Sequence, residues 1–303
     1  MRVLTRSDFD GLACCVLLKE VGVMTDVTFV HPKDIQDGKV DVTSNDILAN
    51  VPYVEGCGMW FDHHSSEDER HNAKDFKGES RLAPSAARVI YEYYGGKEKL
   101  GHLEEFVLNV DKADSGQFTK EEILDPKGWV LLSFVMDPRT GLGRYRDYRI
   151  SNYNLMMDMI GYCAQKNIEE ILEIPDIKER RERYFSQEKE FEDMIKKHTS
   201  TDGNVIITDL RGLEEIKTGN RFVIYALYPE QNISIWLIDG RQRLNAVFAV
   251  GHSIINRTSK TNVGSLMLKH GGGGHAKVGT CQVVYADAPR VLRELVATMK
   301  NDG

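Results

Sequence analysis

Short apolar runs alternate with helix-period stretches through the first hundred residues, and that alternation limits the chain to an α/β architecture. Met1 to Thr5, Val27 to Val30, Asp46 to Val51 and Gly58 to Phe61 read as strands. Gly11 to Val21 reads as a helix, with Leu12, Cys15, Val16 and Lys19 at helical spacing. Pro84 to Tyr94 reads as a second helix, opened by proline and ended by Gly95-Gly96. Strands interleaved with helices build a mostly parallel sheet with helices on both faces. In such sheets, functional groups collect at the carboxyl ends of the strands.

A chain of 303 residues has room for two domains. Residues 177 to 198 are densely charged at helical spacing, which suits a solvated helix serving as a connector. Beyond it the pattern turns strand-rich. Val205 to Ile207, Arg221 to Tyr225, Ile233 to Leu237 and Leu244 to Val250 are the strand candidates. The expected plan is a domain over 1–180, a helical connector over 181–200, and a smaller C-terminal α/β domain with a mixed sheet over 201–303.

The formal net charge of -7 argues against long nucleic acid tracts or membrane as bulk electrostatic partners, though a local basic cleft stays compatible with it. The five cysteines form no CxxC pair, and adjacent Cys14 and Cys15 read as small core residues. A reduced, cytoplasmic setting suits them. No apolar run approaches the roughly 20 residues of a membrane helix.

Four segments carry candidate chemistry. In Thr5-Arg6-Ser7-Asp8-Phe9-Asp10-Gly11, two carboxylates one residue apart follow a strand. They either face one cleft and share a cation, or form a helix N-cap with an acidic first turn. In Met59 to His64 an apolar strand runs straight into Asp62-His63-His64, whose carboxylate and imidazoles suit manganese, magnesium or zinc. Asp111 and Asp114, around Lys112, form either a plain turn or a helix-end pair. His270-Gly271-Gly272-Gly273-Gly274-His275 reads as a loop whose freed backbone N–H groups could nest an anion, with His275 and Lys277 adding donors. Upstream of it, Arg257 and Lys260 are further phosphate donors. The stretch 137–149 is basic and aromatic, fit either to stack a nucleotide or to form a surface ion-pair network.

In this order, the segments resemble the DHH phosphoesterases with their DHH-associated C-terminal domain, a superfamily of RecJ-type exonucleases, nano-RNases, cyclic-dinucleotide phosphodiesterases and exopolyphosphatase-like proteins. Asp62-His63-His64 is the namesake motif, and Gly272-Gly273-Gly274-His275 matches the glycine signature of the C-terminal domain. The resemblance implies a metal-dependent phosphohydrolase or phosphodiesterase acting on a small phosphoester, short oligonucleotide, cyclic dinucleotide or polyphosphate. It implies one or two divalent ions, Mn2+ first and Mg2+ or Zn2+ next, held by Asp8, Asp10, Asp62, His63 and Asp114, with Asp111 in reserve. His64 would stand near the scissile phosphate. Arg257, Lys260, Gly272, Gly273, Gly274 and His275 would hold the rest of the substrate. A homodimer is compatible with the pattern.

Two positions depart from the family pattern. Arg6 stands where a His or Asp ligand is usual, and Asn50 where a bridging Asp is usual. A guanidinium does not ligate a cation. Arg6 is therefore expected to act as a fixed positive charge against phosphate, with Asn50 a neutral neighbour of the ion. The alternative is a degenerate nucleotide- or phosphate-binding sensor with the same fold.

Overall fold

The computed structural model describes residues 1–64 and 76–303. The chain divides into two compact units, one of Met1–Gln117 and Pro126–Arg183, the other of Phe118–Asp125 and Tyr184–Gly303.

In the first unit, β1 (Arg2–Thr5), β2 (Asp26–Phe29), β3 (Asp46–Ala49), β4 (Met59–Asp62) and β5 (Gly78–Ser80) form a sheet in the order β2-β1-β3-β4-β5. Every pairing in it is parallel. Both faces are buried, and the two-residue side-chain period sorts the strands between them. Val3, Ile47, Ala49, Met59 and Phe61 enter one core, while Leu4, Leu48 and Trp60 enter the other. Helix α1 (Phe9–Glu20) is buried at every position from Phe9 to Leu18, so it is apolar around its whole circumference and enclosed by neighbours. Cys14 and Cys15 are core residues. Around α1 pack α2 (Ala86–Tyr93), α3 (Glu104–Asp114) and α5 (Asn152–Gln165), with α4 (Gly128–Met136) against α3.

The charged helix α6 runs Pro175–His198, and the two units divide within it. Its one fully buried cation, Arg180, donates to Asn152 Oδ1 and to the carbonyls of Asp176 and Ile150, and stacks 4.0 Å from the Tyr148 ring centroid. The 137–149 stretch forms an ion-pair network, with Arg139 on Asp137, Asp147 on Arg183 and Arg149 on Asp176.

The second unit holds a mixed sheet, β10-β11-β9-β8-β7-β6, built from β6 (Thr199–Asp202), β7 (Val205–Asp209), β8 (Ile233–Asp239), β9 (Asn245–His252), β10 (Gly273–His275) and β11 (Val278–Val284). Its β7–β8 pairing is parallel and the other pairings are antiparallel. The amphipathic helix α9 (Ala288–Asp302) and the short α8 (Val263–Leu268) join the core on this sheet.

The strand expected over Arg221 to Tyr225 is instead the short helix α7 (Val223–Leu227). Its apolar run has no period-two alternation, and such a run is ambiguous between strand and buried helix. Asn220 decides the local path: its side chain accepts from Phe222 N at 2.9 Å and its carbonyl from Val223 N at 3.1 Å, which turns the chain. No described helix is long and apolar enough to cross a membrane.

Candidate metal centre

Thr5 ends β1, and Asp8 then caps α1, its Oδ1 accepting from Gly11 N at 2.9 Å. Asp10 lies in the first helical turn. Of the alternatives posed for this segment, Asp8 takes the helix cap, while Asp10 lies in the cluster with His63 and Asp114. Helical geometry, not strand alternation, aims the two carboxylates. Gly11 is required by crowding, since a Cβ there would stand 2.0 Å from the Arg6 carbonyl oxygen.

Asp10 is 2% exposed. Its carboxylate accepts from Ala86 N at 3.0 Å and Ala87 N at 2.8 Å, at the amino end of α2. Unpaired helical N–H groups and the helix dipole both favour an anion there. Ser85 caps that helix by accepting from Arg88 N. The helix expected to open at Pro84 instead begins at Ala86, with Ser85 as its cap and Pro84 just before it, and the cap's service to Asp10 leaves no mark in the local sequence.

Asp62 closes β4, so His63 and His64 emerge at a carboxyl strand end. His63 Nδ1 donates to the Ala83 carbonyl at 3.2 Å. That bond assigns the proton to Nδ1 and leaves Nε2 with its lone pair free for a ligand. Nε2 lies 3.3 Å from Asp114 Oδ2 and 3.7 Å from Asp10 Oδ2, and is buried without a hydrogen-bond partner. The ligand atoms of Asp10, His63 and Asp114 all lie within 4.8 Å of one another, as do those of Asp62, His63 and His64. An orphaned imidazole nitrogen between two carboxylates offers the donor types that could hold a divalent cation.

The electrostatics agree. Burial pushes the Asp10 carboxyl up to about 7, helped by the charges of Asp114 and Asp8 and opposed by His63 and the Ala87 N–H. Surrounding protein also raises Asp114, although a third of its side chain stays exposed; Asp8 adds to this, while His63, His64 and Arg6 oppose it. Like charges this crowded hold protons unless a cation replaces them. Burial lowers the affinity of His64 for a proton, but its 2.9 Å bond to Asp62 and the nearby charges of Asp62, Asp114 and Asp10 outweigh it, so its pKa is raised.

Arg6 Nε sits 3.0 Å from Asp8 Oδ2. Asn50 Nδ2 donates to Asp8 Oδ1 at 3.2 Å, while Asn50 Oδ1 is buried without a partner. Asn50 takes φ 55°, a left-handed conformation that Asn tolerates better than most residues. Asp114 ends α3 rather than forming a loop turn. Asp111 faces elsewhere, accepting from Ser85 Oγ at 2.7 Å and from Arg88 Nε and Nη2 at 2.8 and 2.6 Å. Arg139, within the basic 137–149 stretch but not among the expected site residues, interacts electrostatically with Asp8 and Asp114.

In the second unit the glycine tract is not an open nest along its whole length. The N–H groups of His270, Gly271 and Gly272 close α8 onto the carbonyls of Met267 and Leu268, and Gly273 to His275 pair as the edge strand β10. Glycine serves close packing there. A Cβ on Gly272 would stand 2.0 Å from the Thr280 carbonyl oxygen. Gly272→Ala should therefore destabilise this unit by about 2 kcal/mol, a drop of about 5 °C in Tm by calorimetry. An unchanged melting temperature would contradict that packing. His275, Lys260 and Arg257 are exposed, and Arg257 Nε donates to Ile254 O at 2.9 Å.

No protein-family model matches the sequence, and no curated protein sequence matches it. Among solved structures, the pGpG-specific phosphodiesterase PggH from Vibrio cholerae matches with a TM-score of 0.85 and 50% identity over 100% of this chain and 99% of that one. An exopolyphosphatase-related protein from Bacteroides fragilis shares the fold, with a TM-score of 0.52 and 11% identity over 99% of this chain and 92% of that one. RecJ from Thermus thermophilus, in complex with Mn2+, shares it at a TM-score of 0.51 and 10% identity, over 99% of this chain and 52% of that one.

Proposed function

The chain belongs to the DHH phosphoesterase family, and from that premise we propose that it is a metal-dependent phosphodiesterase hydrolysing the linear guanylate dinucleotide pGpG. A 50% identity to a pGpG-specific phosphodiesterase, running over the whole of this chain, supports the substrate. The observation that carries the chemistry is His63 Nε2, stripped of other partners between Asp10 and Asp114.

Asp10, His63 and Asp114 would hold a divalent cation, with Asp62 and Asp8 beside them. The mixed carboxylate and imidazole set suits manganese, with magnesium or zinc also in range. Such an ion supplies Lewis-acid polarisation of the phosphate and a water acidic enough to attack near neutral pH. The helix dipole of α2 keeps Asp10 oriented. Asp62 holds His64 by its Nδ1, so that the other ring nitrogen can carry a proton towards the leaving oxygen. Arg6, fixed by Asp8, offers its remaining N–H groups to a non-bridging phosphate oxygen. Hydrolysis adds one water across the single phosphodiester and releases two mononucleotides.

Arg6 and Asn50 both engage Asp8, where a second cation would otherwise draw on it. We expect one tightly held ion per chain. Elemental analysis of the parent should read about one manganese, and Arg6→His combined with Asn50→Asp should raise the count towards two. A parent that binds two ions would refute the role given to Arg6. The test of the function is release of guanylate from pGpG by purified protein with manganese. Tight pGpG binding without turnover, together with turnover gained in that double variant, would favour the sensor reading instead.

A further inference from the structure

Tyr153 lies in the first turn of α5 and is 52% exposed. Its ring meets that of Phe29 nearly at right angles, with centroids 6.0 Å apart and planes at 84°. Phe29 ends β2 and packs against the core of the first unit, so it is a firm brace. An edge-to-face contact occupies at most one face of the Tyr153 ring. Among the described residues no other ring or cation meets Tyr153, and its hydroxyl has no hydrogen-bond partner.

Two separate contacts place this aromatic pair beside the β1–α1 turn that carries Arg6 and Asp8. In the first, β1 and β2 run parallel with Phe29 opposite Thr5, and Val30 N donates to Thr5 O at 2.8 Å. Arg6 follows Thr5 directly, and paired strands lie about 4.8 Å apart. In the second, Ser7 and Asn152, the neighbour of Tyr153, wall one small cavity. The pair therefore stands at the carboxyl end of the parallel sheet, one strand over from Arg6, and such sheets bind their ligands at that end. A lone exposed tyrosine is ordinary on a protein surface. One braced edge-on at the ligand-binding end of a sheet, with a ring face open, is suited to receive a flat base.

We propose that Tyr153, braced by Phe29, is the stacking platform for one of the two guanines flanking the phosphate that Arg6 holds. The inference rests on the dinucleotide reading above and deepens it by naming a residue that binds the base. Every base has a π-face whatever its edge groups, so the platform fixes where the base lies and leaves the choice of base to other groups. Fixing the base also positions the attached phosphodiester for attack.

The test measures kcat and KM with manganese for pGpG and for two analogues, each lacking one of the two guanines. Should the parent bind pGpG without turnover, Kd by calorimetry takes the place of KM. Tyr153→Ala should raise KM for pGpG about five- to a hundred-fold, with a smaller change in kcat, while Tyr153→Phe stays within about twofold. Tyr153→Leu keeps apolar cover over Phe29 but has no π-face, so it should behave as Tyr153→Ala does, and it decides the matter should that variant misfold. On the analogue that lacks the stacked base, the parent should already bind weakly and Tyr153→Ala should add less than about twofold. On the other analogue the full effect of Tyr153→Ala should persist. A KM for pGpG unchanged within about twofold in both Tyr153→Ala and Tyr153→Leu overturns the proposal. So does an equal loss on pGpG and on both analogues, which is the mark of a structural role. A parent that neither binds nor cleaves pGpG defeats the dinucleotide reading, and the platform with it.

Discussion

Asp10→Asn is expected to lower manganese-dependent hydrolysis of pGpG about a thousand-fold or more while the protein still folds. Asn has nearly the same shape as Asp but provides one acceptor oxygen where Asp10 now serves two N–H groups, Ala86 and Ala87. Losing one of those bonds costs about 1–3 kcal/mol. Burial first, and then repulsion from Asp114 and Asp8, hold the Asp10 carboxyl up at about 7, and the neutral amide's relief from both offsets part of that cost. The loss in catalysis is larger because the negative charge facing His63 disappears. A metal contributes several kcal/mol of transition-state stabilisation, and each 1.36 kcal/mol is about tenfold in rate. The measurements are kcat/KM at saturating manganese, a manganese titration and a thermal melt. Activity within about tenfold of the parent, at equal metal affinity, would remove Asp10 from the centre.

The second large effect concerns stability. In metal-free protein the folded-state Asp10 carboxyl titrates at about 7, whereas an unfolded Asp titrates near 3.9. Between those values the folded state binds more protons than the unfolded state. The contribution of this group therefore falls as pH rises from about 4 to about 7. His64, its pKa raised in the folded state, acts in the same direction: its stabilisation is present below the unfolded histidine value and is lost as pH rises through its raised folded value. A divalent cation replaces the proton at Asp10 and removes that part of the decline. At a free concentration 100 to 1,000 times Kd, binding adds about 3–4 kcal/mol. For a chain of this size, at roughly 1.5–2 °C per kcal/mol, that is about 5–8 °C in Tm. The manganese-induced shift should be larger at pH 8 than at pH 6, because protons compete less. Calorimetry with chelator and with manganese at the two pH values checks this, with Asp10→Asn as the control that flattens the difference. A shift that is the same or smaller at pH 8 would be incompatible with a protonated Asp10.

Much of the candidate centre is legible in the linear chain because its candidate ligands sit at element ends. Asp62-His63-His64 follows an apolar strand, and the carboxyl end of a strand in a parallel sheet is where side chains leave the core. The Asp8 segment was equally visible, but its two meanings could not be separated. A helix cap and a shared-cation pair use the same residue types at the same spacing. Asp111 and Asp114 show the limit from the other side. Three residues apart on α3, they lie near each other on the helix surface, yet Asp111 goes to Arg88 and Asp114 to His63. That choice depends on where α2 and β4 lie beside α3, which no local pattern records. The glycine tract was ambiguous for a related reason. Glycine permits both an exposed nest and a tight backbone crossing, and the neighbouring Thr280 carbonyl selects the crossing at Gly272.

The amino-acid pattern alone determined a parallel α/β half, a mixed-sheet second half and a set of acidic and imidazole groups at strand and helix ends. It did so because periodicity, caps and strand termini are local properties of the chain. The tertiary structure decided which of those groups converge and which proton each carries. The Ala83 carbonyl selects the His63 tautomer, the amino end of α2 grips Asp10, and Arg180 orients the Asn152 amide. Each of these contacts joins residues more than 19 positions apart, and only the packing of whole elements brings such groups within hydrogen-bonding reach.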